Sequence, residues 1–188
     1  MNIAVYCSSS EKLDEKYYEL ARNFGNLMAN RGHNLIYGGT NKGIMGEVAK
    51  QLAGKGKLIG VVPEIFNHAD MTFNGCDEVI HTETMSQRKA KMEELADAFV
   101  ILPGGIGTFD ELFEAYSLKS LGLLDKPIAI LNAYHLYDHL EALLETIAEE
   151  NFMTEDKKAM VSFFADSNEL LAYLEKTANY AVFCIIDY

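Results

Sequence analysis

The 188-residue chain has few cysteines and no cluster of them: Cys7, Cys76 and Cys184 are an odd, scattered set with no CxxC spacing. That excludes a disulfide framework and a cysteine-rich zinc site, and it fits a reducing compartment. The opening MNIAVYCSSS is too short an apolar stretch to span a bilayer, and it lacks the basic start and long apolar region of a secretory signal. Basic charge is also scarce. Sixteen Lys and Arg face 28 Asp and Glu, for a net charge of −12, and no Lys/Arg run gathers the positive charge on one face. Such a surface repels a nucleic-acid backbone. The expectation is a cytoplasmic protein with neither a membrane nor a nucleic-acid partner. One small phosphate is still compatible, because a few backbone amides and one arginine can hold it locally.

Several cofactor and metal signatures are missing too. The first strand–helix turn reads CSSSEK. It has no GxGxxG fingerprint, which disfavours ordinary NAD or FAD binding, and the absence of GxxxxGK[ST] anywhere excludes a P-loop NTPase. His135 and His139 are four apart, but HLYDH lacks the glutamate of HExxH, so no metal is expected there. Cys7 ends the first strand with no base supplied to it by any motif, and reads as a core thiol.

What the chain does contain is strand–helix alternation from end to end. Strand candidates are Ile3–Cys7, Asn34–Tyr37, Leu58–Val62, Glu78–His81, Phe99–Leu102, Ile128–Leu131 and Val161–Phe164, several of them apolar throughout, as strands buried on both faces are. Between them, Tyr17, Leu20, Ala21, Phe24, Leu27 and Met28 fall at helical spacing, as do Met45, Val48, Ala49 and Leu52, and later Tyr137, Leu140, Leu143, Leu144 and Ile147. The pattern predicts an α/β fold: a Rossmann-like, doubly wound parallel sheet with helices on both faces. Length and an apolar fraction of 49% suit a single domain, residues 1–178. The tail 179–188, with its run AVFCII, is open between an extra strand, a dimer contact and an appended segment.

Ligands of such sheets bind beyond the carboxyl ends of the strands. There, LPGGIGTFDE (Leu102–Glu111) joins a strand to a helix. Gly104, Gly105 and Gly107 allow positive φ and bring bare backbone to a ligand, and with the amides opening the helix at Thr108 they form a candidate monophosphate cradle. The competing reading is a turn that serves only to start the helix. YGGTNKGIMG (Tyr37–Gly46) has a similar arrangement around Gly38, Gly39, Gly43 and Gly46, where tight helix–strand packing competes with ligand binding. Ser8, Ser9 and Ser10 are possible hydrogen-bond donors to a nucleotide, or simply turn residues.

Two charged positions stand out. In TMSQRKAKMEELA, the apolar stripe Met85, Met92, Leu95 and Ala96 has Arg88 and Lys89 inside it. Inward charges on a helix are rare unless paired. Either they meet a ligand or acidic partner in the crevice, or they reach the rim and pair with a structural carboxylate. Glu111 likewise has two readings: Thr108-x-x-Glu111 matches a capping box, yet the glutamate shares its helix stripe with Ala115 and Leu118, beside the glycine loop.

These segments carry a resemblance. PGGIGTFDE resembles the PGGxGTxxE motif of the LOG (Lonely Guy) family of cytokinin riboside 5′-monophosphate phosphoribohydrolases, proteins also labelled lysine decarboxylase-like. MSQRKAKM is similar to that family's MHxRKxxM segment, YGGTNKGIMG to its GGGxxGLMG loop, and VYCSSS to its opening strand and serine turn. The match runs from Met1 to about Glu175. It departs at Ser86, where the family has histidine, and at Thr40, where it has a third glycine. The resemblance implies Arg88 and Glu111 as the catalytic pair, and Gly104, Gly105, Gly107 and Thr108 as the phosphate loop. Lys89, Ser8 and Gly39 would be further substrate-binding positions. It also implies a homodimer, no metal and no organic cofactor.

The implied reaction is hydrolysis of the base–ribose bond of a nucleoside 5′-monophosphate, AMP or an N6-modified AMP, to free base and ribose 5-phosphate. Positive charge develops on the ribose in such a cleavage, so Glu111 would stabilise it and activate water while Arg88 orients the nucleotide. A nucleotide sensor of the same fold, without turnover, is the competing class. A decarboxylase would need a pyridoxal phosphate lysine, and nothing in the sequence singles one out.

Overall fold

A computed structural model of the chain describes residues 1–66 and 72–183, with no side-chain description after residue 177. Its frame is one sheet of seven strands: β1 (Asn2–Tyr6), β2 (Asn34–Tyr37), β3 (Leu58–Pro63), β4 (Glu78–Thr82), β5 (Ala98–Ile101), β6 (Ile128–Leu131) and β7 (Val161–Phe164). Every pairing is parallel, in the order β4-β3-β2-β1-β5-β6-β7. All seven expected strands are present, β2, β6 and β7 with the expected ends and the other four with ends displaced by one residue.

The helices are α1 (Glu15–Asn30), α2 (Gly43–Leu52), α3 (Met85–Leu95), α4 (Ile106–Ser120), α5 (Asp138–Glu149), the single turn α6 (Glu155–Lys158) and α7 (Ser167–Phe183). The alternation of strand side chains assigns them to two layers. Ile3, Val5 and Cys7 face one core with Phe24 and Met28 of α1, Ile44 and Val48 of α2, and Leu170, Leu171 and Leu174 of α7. Ala4 and Tyr6 face the other, with Met92 of α3, Leu112 and Ala115 of α4, and Leu140 and Leu144 of α5. Helices therefore cover both faces of a sheet whose central strands are wholly buried, which is why those strands read as unbroken apolar runs. Helix α7 continues across the expected boundary at residue 178 as far as Phe183, so 179–183 are helical rather than a strand. The rest of that tail lies outside the described residues.

The winding reverses between β1 and β5, where strands added on either side of β1 send their loops apart. A crevice at this switch point is what the topology supplies for a ligand. Its lips are knitted together: Ser8 N–H donates to the Pro103 carbonyl at 3.1 Å, and Met45 N–H to the Ser8 carbonyl at 3.2 Å. From the far side, the Tyr137 hydroxyl donates to the Leu102 carbonyl at 2.8 Å.

Candidate active site

A cavity of about 460 Å³ opens at the switch point. Its wall brings together Ser8, Gly39, Arg88, Gly105, Gly107, Thr108 and Glu111, drawn from the segments after β1, β2, β4 and β5. Gly104 and Lys89 are not on that wall.

Helix starts differ in a telling way. Helix α3 has a full capping box, Thr84 accepting from Gln87 N–H while the Gln87 side chain reaches back to Thr84. Helix α4 has Gly105 at its N-cap and no side-chain cap, and α2 likewise begins without one. The first-turn amides of α4 have no intrahelical acceptor, and at Gly105, Gly107 and Thr108 they border the cavity. An uncapped helix start of this kind is an arrangement that can receive an anion, favoured by the positive end of the helix dipole.

The glycines of this loop act differently from the expectation. None of Gly104, Gly105 and Gly107 has positive φ. Gly104 is required for space, since a Cβ there would lie 2.1 Å from the Thr108 Oγ1 and 2.5 Å from its Cβ. Left-handed backbone belongs instead to the other loop, at Gly39 (φ 76°) and Gly43 (φ 58°), where Gly43 lies against the backbone of Ser8–Ser10. The serine turn holds itself as well as facing the cavity: Ser8 Oγ accepts from Ser10 N–H at 3.1 Å.

Arg88 and Glu111 meet. The guanidinium Nη1 donates to Glu111 Oε1 at 2.5 Å, with each side chain only 7% exposed. Nε donates to the Val61 carbonyl at 3.2 Å, and the remaining N–H groups of the fork have no partner among the described residues. Gly38 makes room for the guanidinium, because a Cβ there would stand 2.8 Å from Arg88 Nη2. The capping-box reading of Glu111 fails: its carboxylate reaches α3, not the start of its own helix. Burial pushes the Glu111 carboxyl above its ordinary range, against the opposing pull of Arg88.

Lys89 is engaged elsewhere. Its ammonium donates to both carboxylate oxygens of Asp110, at 3.0 and 2.9 Å, and pairs with Glu114. The expectation that inward charges on α3 either meet the crevice or pair with a carboxylate is thus divided between neighbours, Arg88 doing both and Lys89 only the second. Cys7 borders the cavity as a buried thiol whose ionisation is strongly suppressed by desolvation, which fits an inert core thiol. His135 is exposed beside Asp138, and among the described residues no group of His, Cys, Asp and Glu is placed to hold a metal.

Sequence reasoning missed the far wall. Val62, Pro63, Phe66 and Thr72 line the cavity from β3 and the segment beyond it. Apart from a proline, nothing in VVPEIF marks these positions, which looks like any strand end. Glu93 was missed as well, a buried carboxylate on α3.

The fold and site define a parallel α/β protein with an uncapped helix start and a buried arginine–glutamate pair bordering one cavity at its switch point. The chain belongs to the LOG family of phosphoribohydrolases. The pattern of a family described as "Possible lysine decarboxylase" matches residues 45–174, well over half of the chain. A cytokinin riboside 5′-monophosphate phosphoribohydrolase of Mycobacterium tuberculosis is 39% identical over 153 residues, 81% of each chain. The corresponding enzyme LOG of Oryza sativa is 34% identical over 175 residues, which are 93% of this chain and 72% of that one. Among solved structures, a molybdenum cofactor carrier protein of Chlamydomonas reinhardtii superimposes with a TM-score of 0.70 at 22% identity, over 95% of this chain and 98% of that one. That likeness concerns the fold alone.

Proposed function

We propose that this protein hydrolyses the N-glycosidic bond of a nucleoside 5′-monophosphate, AMP or an N6-modified AMP such as a cytokinin riboside monophosphate, releasing free base and ribose 5-phosphate. The observation that carries the reading is the buried Arg88–Glu111 pair on the wall of the same cavity that receives the uncapped start of α4. The names of the curated relatives support it.

The 5′-phosphate binds the amides of Gly105, Gly107 and Thr108, where the α4 dipole favours two negative charges. Held there, the ribose is positioned for reaction by binding energy remote from the bond that breaks. As the base departs, positive charge grows on C1′ and the ring oxygen. The Glu111 carboxylate stabilises that charge and orients or deprotonates the attacking water. The unpartnered N–H groups of Arg88 orient the nucleotide and assist departure of the base. A Schiff-base decarboxylase does not fit, because no lysine lines the cavity among the described residues.

The working form is a homodimer in the cytoplasm. Ile106 at the start of α4 is 84% exposed, and Phe113, Leu121 and Leu123 along and beyond that helix are exposed too, an apolar surface suited to a second copy. No helix among the described residues is long and apolar enough to cross a membrane. Light scattering that finds only a 21 kDa species at working concentrations would refute the dimer.

The test of the reaction is chromatography of AMP and adenosine incubated with the protein. AMP should yield adenine and ribose 5-phosphate far faster than adenosine yields adenine. Equal rates would refute the phosphate cradle, and tight AMP binding with no released base would make the protein a sensor.

A further inference from the structure

Helix α3 carries a further buried polar group that does not border the cavity. Glu93 lies one turn beyond Lys89 on α3 and is 9% exposed. Its Oε1 is buried with no hydrogen-bond partner among the described residues, and the same is true of the Tyr6 hydroxyl at the end of β1. Buried polar atoms without partners are uncommon and costly, most of all when charged.

The groups facing Glu93 are Glu114 from α4, Lys89 from its own helix, and Lys126 from the turn before β6. The Lys126 ammonium also donates to the Glu93 carbonyl at 2.6 Å. From β1 comes Tyr6, whose hydroxyl feels Glu111, Glu93, Arg88 and Glu114 together. Burial, and then the nearby Glu114, push the Glu93 carboxyl up to about 7, with Lys89 and Lys126 opposing.

What Glu93 can act upon is Lys89. That lysine ties α3 to α4 through Asp110 and Glu114, directly beside the Arg88–Glu111 tie between the same two helices. Asp110 and Glu111 are neighbours in sequence, as are Arg88 and Lys89, so one tie sets the register of the other. Residues four apart on a helix are within reach of each other. An ionised Glu93 therefore competes for Lys89 with the two carboxylates of α4, whereas a protonated one does not.

We propose that Glu93 is a positioning residue for the reaction: while it keeps its proton, Lys89 holds α4 and the Arg88–Glu111 pair in register, and when it loses that proton to solvent it draws Lys89 back onto α3 and turnover falls. The inference rests on Arg88 and Glu111 being the reacting pair. Only a proton moves, from the Glu93 carboxyl to water.

The experiment is a pH profile of kcat and KM for AMP cleavage by the wild type and by Glu93→Gln and Lys89→Met. Wild-type kcat should decline on the alkaline side of about 7, by up to about tenfold per pH unit, and KM should rise alongside, because the start of α4 and Arg88 border the cavity. Glu93→Gln mimics the protonated carboxyl and should remove the decline while matching the wild type under acidic conditions. Lys89→Met should also lack the decline, with lower kcat throughout. The proposal is overturned by a wild type with no alkaline decline, by a Glu93→Gln profile that keeps the wild-type decline, or by a decline that survives in Lys89→Met, the arm that decides the matter if Glu93→Gln does not fold. Undiminished turnover in Glu111→Gln would instead refute the reacting pair, whereas an inactive Glu111→Gln beside an unaltered Glu93→Gln profile refutes only the role of Glu93.

Discussion

Replacing Glu111 by glutamine separates the charge of this side chain from its shape. In the native protein the carboxylate accepts from Arg88 at 2.5 Å, at 7% exposure on both sides. A unit charge about 4 Å from a carboxylate, at an effective dielectric constant of about 20, is worth roughly 4 kcal/mol. With some two-thirds of a charge developed on the ribose, the carboxylate would supply about 2.7 kcal/mol, or about 100-fold in rate. The stability term is separate. Removing one partner of a buried pair costs about 3–5 kcal/mol when the other is left bare. The glutamine oxygen still accepts from Nη1, so the loss should be nearer the 1.5–3 kcal/mol of one charged hydrogen bond. At roughly 2–4 °C per kcal/mol for a chain of this size, melting falls by about 3–12 °C and the variant stays folded at assay temperature. Single-turnover release of adenine from AMP, measured on the preparation used for the melting curve, tests both numbers. A Glu111→Gln protein that melts early yet cleaves AMP at the wild-type rate would assign the residue to the scaffold. So would a rate loss that disappears on correcting for the unfolded fraction.

Gly38→Ala places a methyl group 2.8 Å from Arg88 Nη2 and 2.9 Å from Met45 Sδ. It should lower kcat/KM for AMP at least tenfold through the displaced guanidinium, and unchanged steady-state kinetics would show that Arg88 needs no fixed position. Activity should also have an acid limb. Glu111 must be ionised to stabilise positive charge, and burial holds its carboxyl above the usual range, so activity falls as pH falls, with a midpoint higher than that of an exposed glutamate. A kcat/KM profile flat to below the ordinary carboxylate range would contradict that sign.

How legible the site was depended on whether each signal was local. The strands were readable because burial on both faces leaves an unbroken apolar run, as in AFVI and IAIL. Arg88 and Glu111 were readable because charge in an apolar stripe is anomalous wherever it occurs. The pairing of Lys89 with Asp110 and Glu114 was not, since it joins residues on two helices whose register no spacing reveals. Glu93 escaped for a related reason. MEEL contains two glutamates, one 9% exposed and one on the outer side, and which of them turns inward is decided by how α3 sits on the sheet. Its distance of four residues from Lys89 was the one available clue. Positive φ was expected at the wrong glycines because a glycine's need for space and its need for left-handed backbone look identical in sequence.

The switch point also dictates when, during synthesis, the chemistry can first exist. Strands β1 to β4 are laid down in order on one side, and β1 waits for β5, whose Ala98 pairs with Ile3, 95 residues away in the chain. Until then β1 is an open edge, an aggregation-prone state that a growing polypeptide must pass through. Arg88 precedes β5 in the chain and Glu111 follows it, on the helices either side of that strand. Arg88 thus emerges before its acidic partner. A chain that lacks α4 has no Arg88–Glu111 pair, and the pairing of β5 with β1, a nonlocal contact of this topology, is what sets the helices on either side of β5 in place.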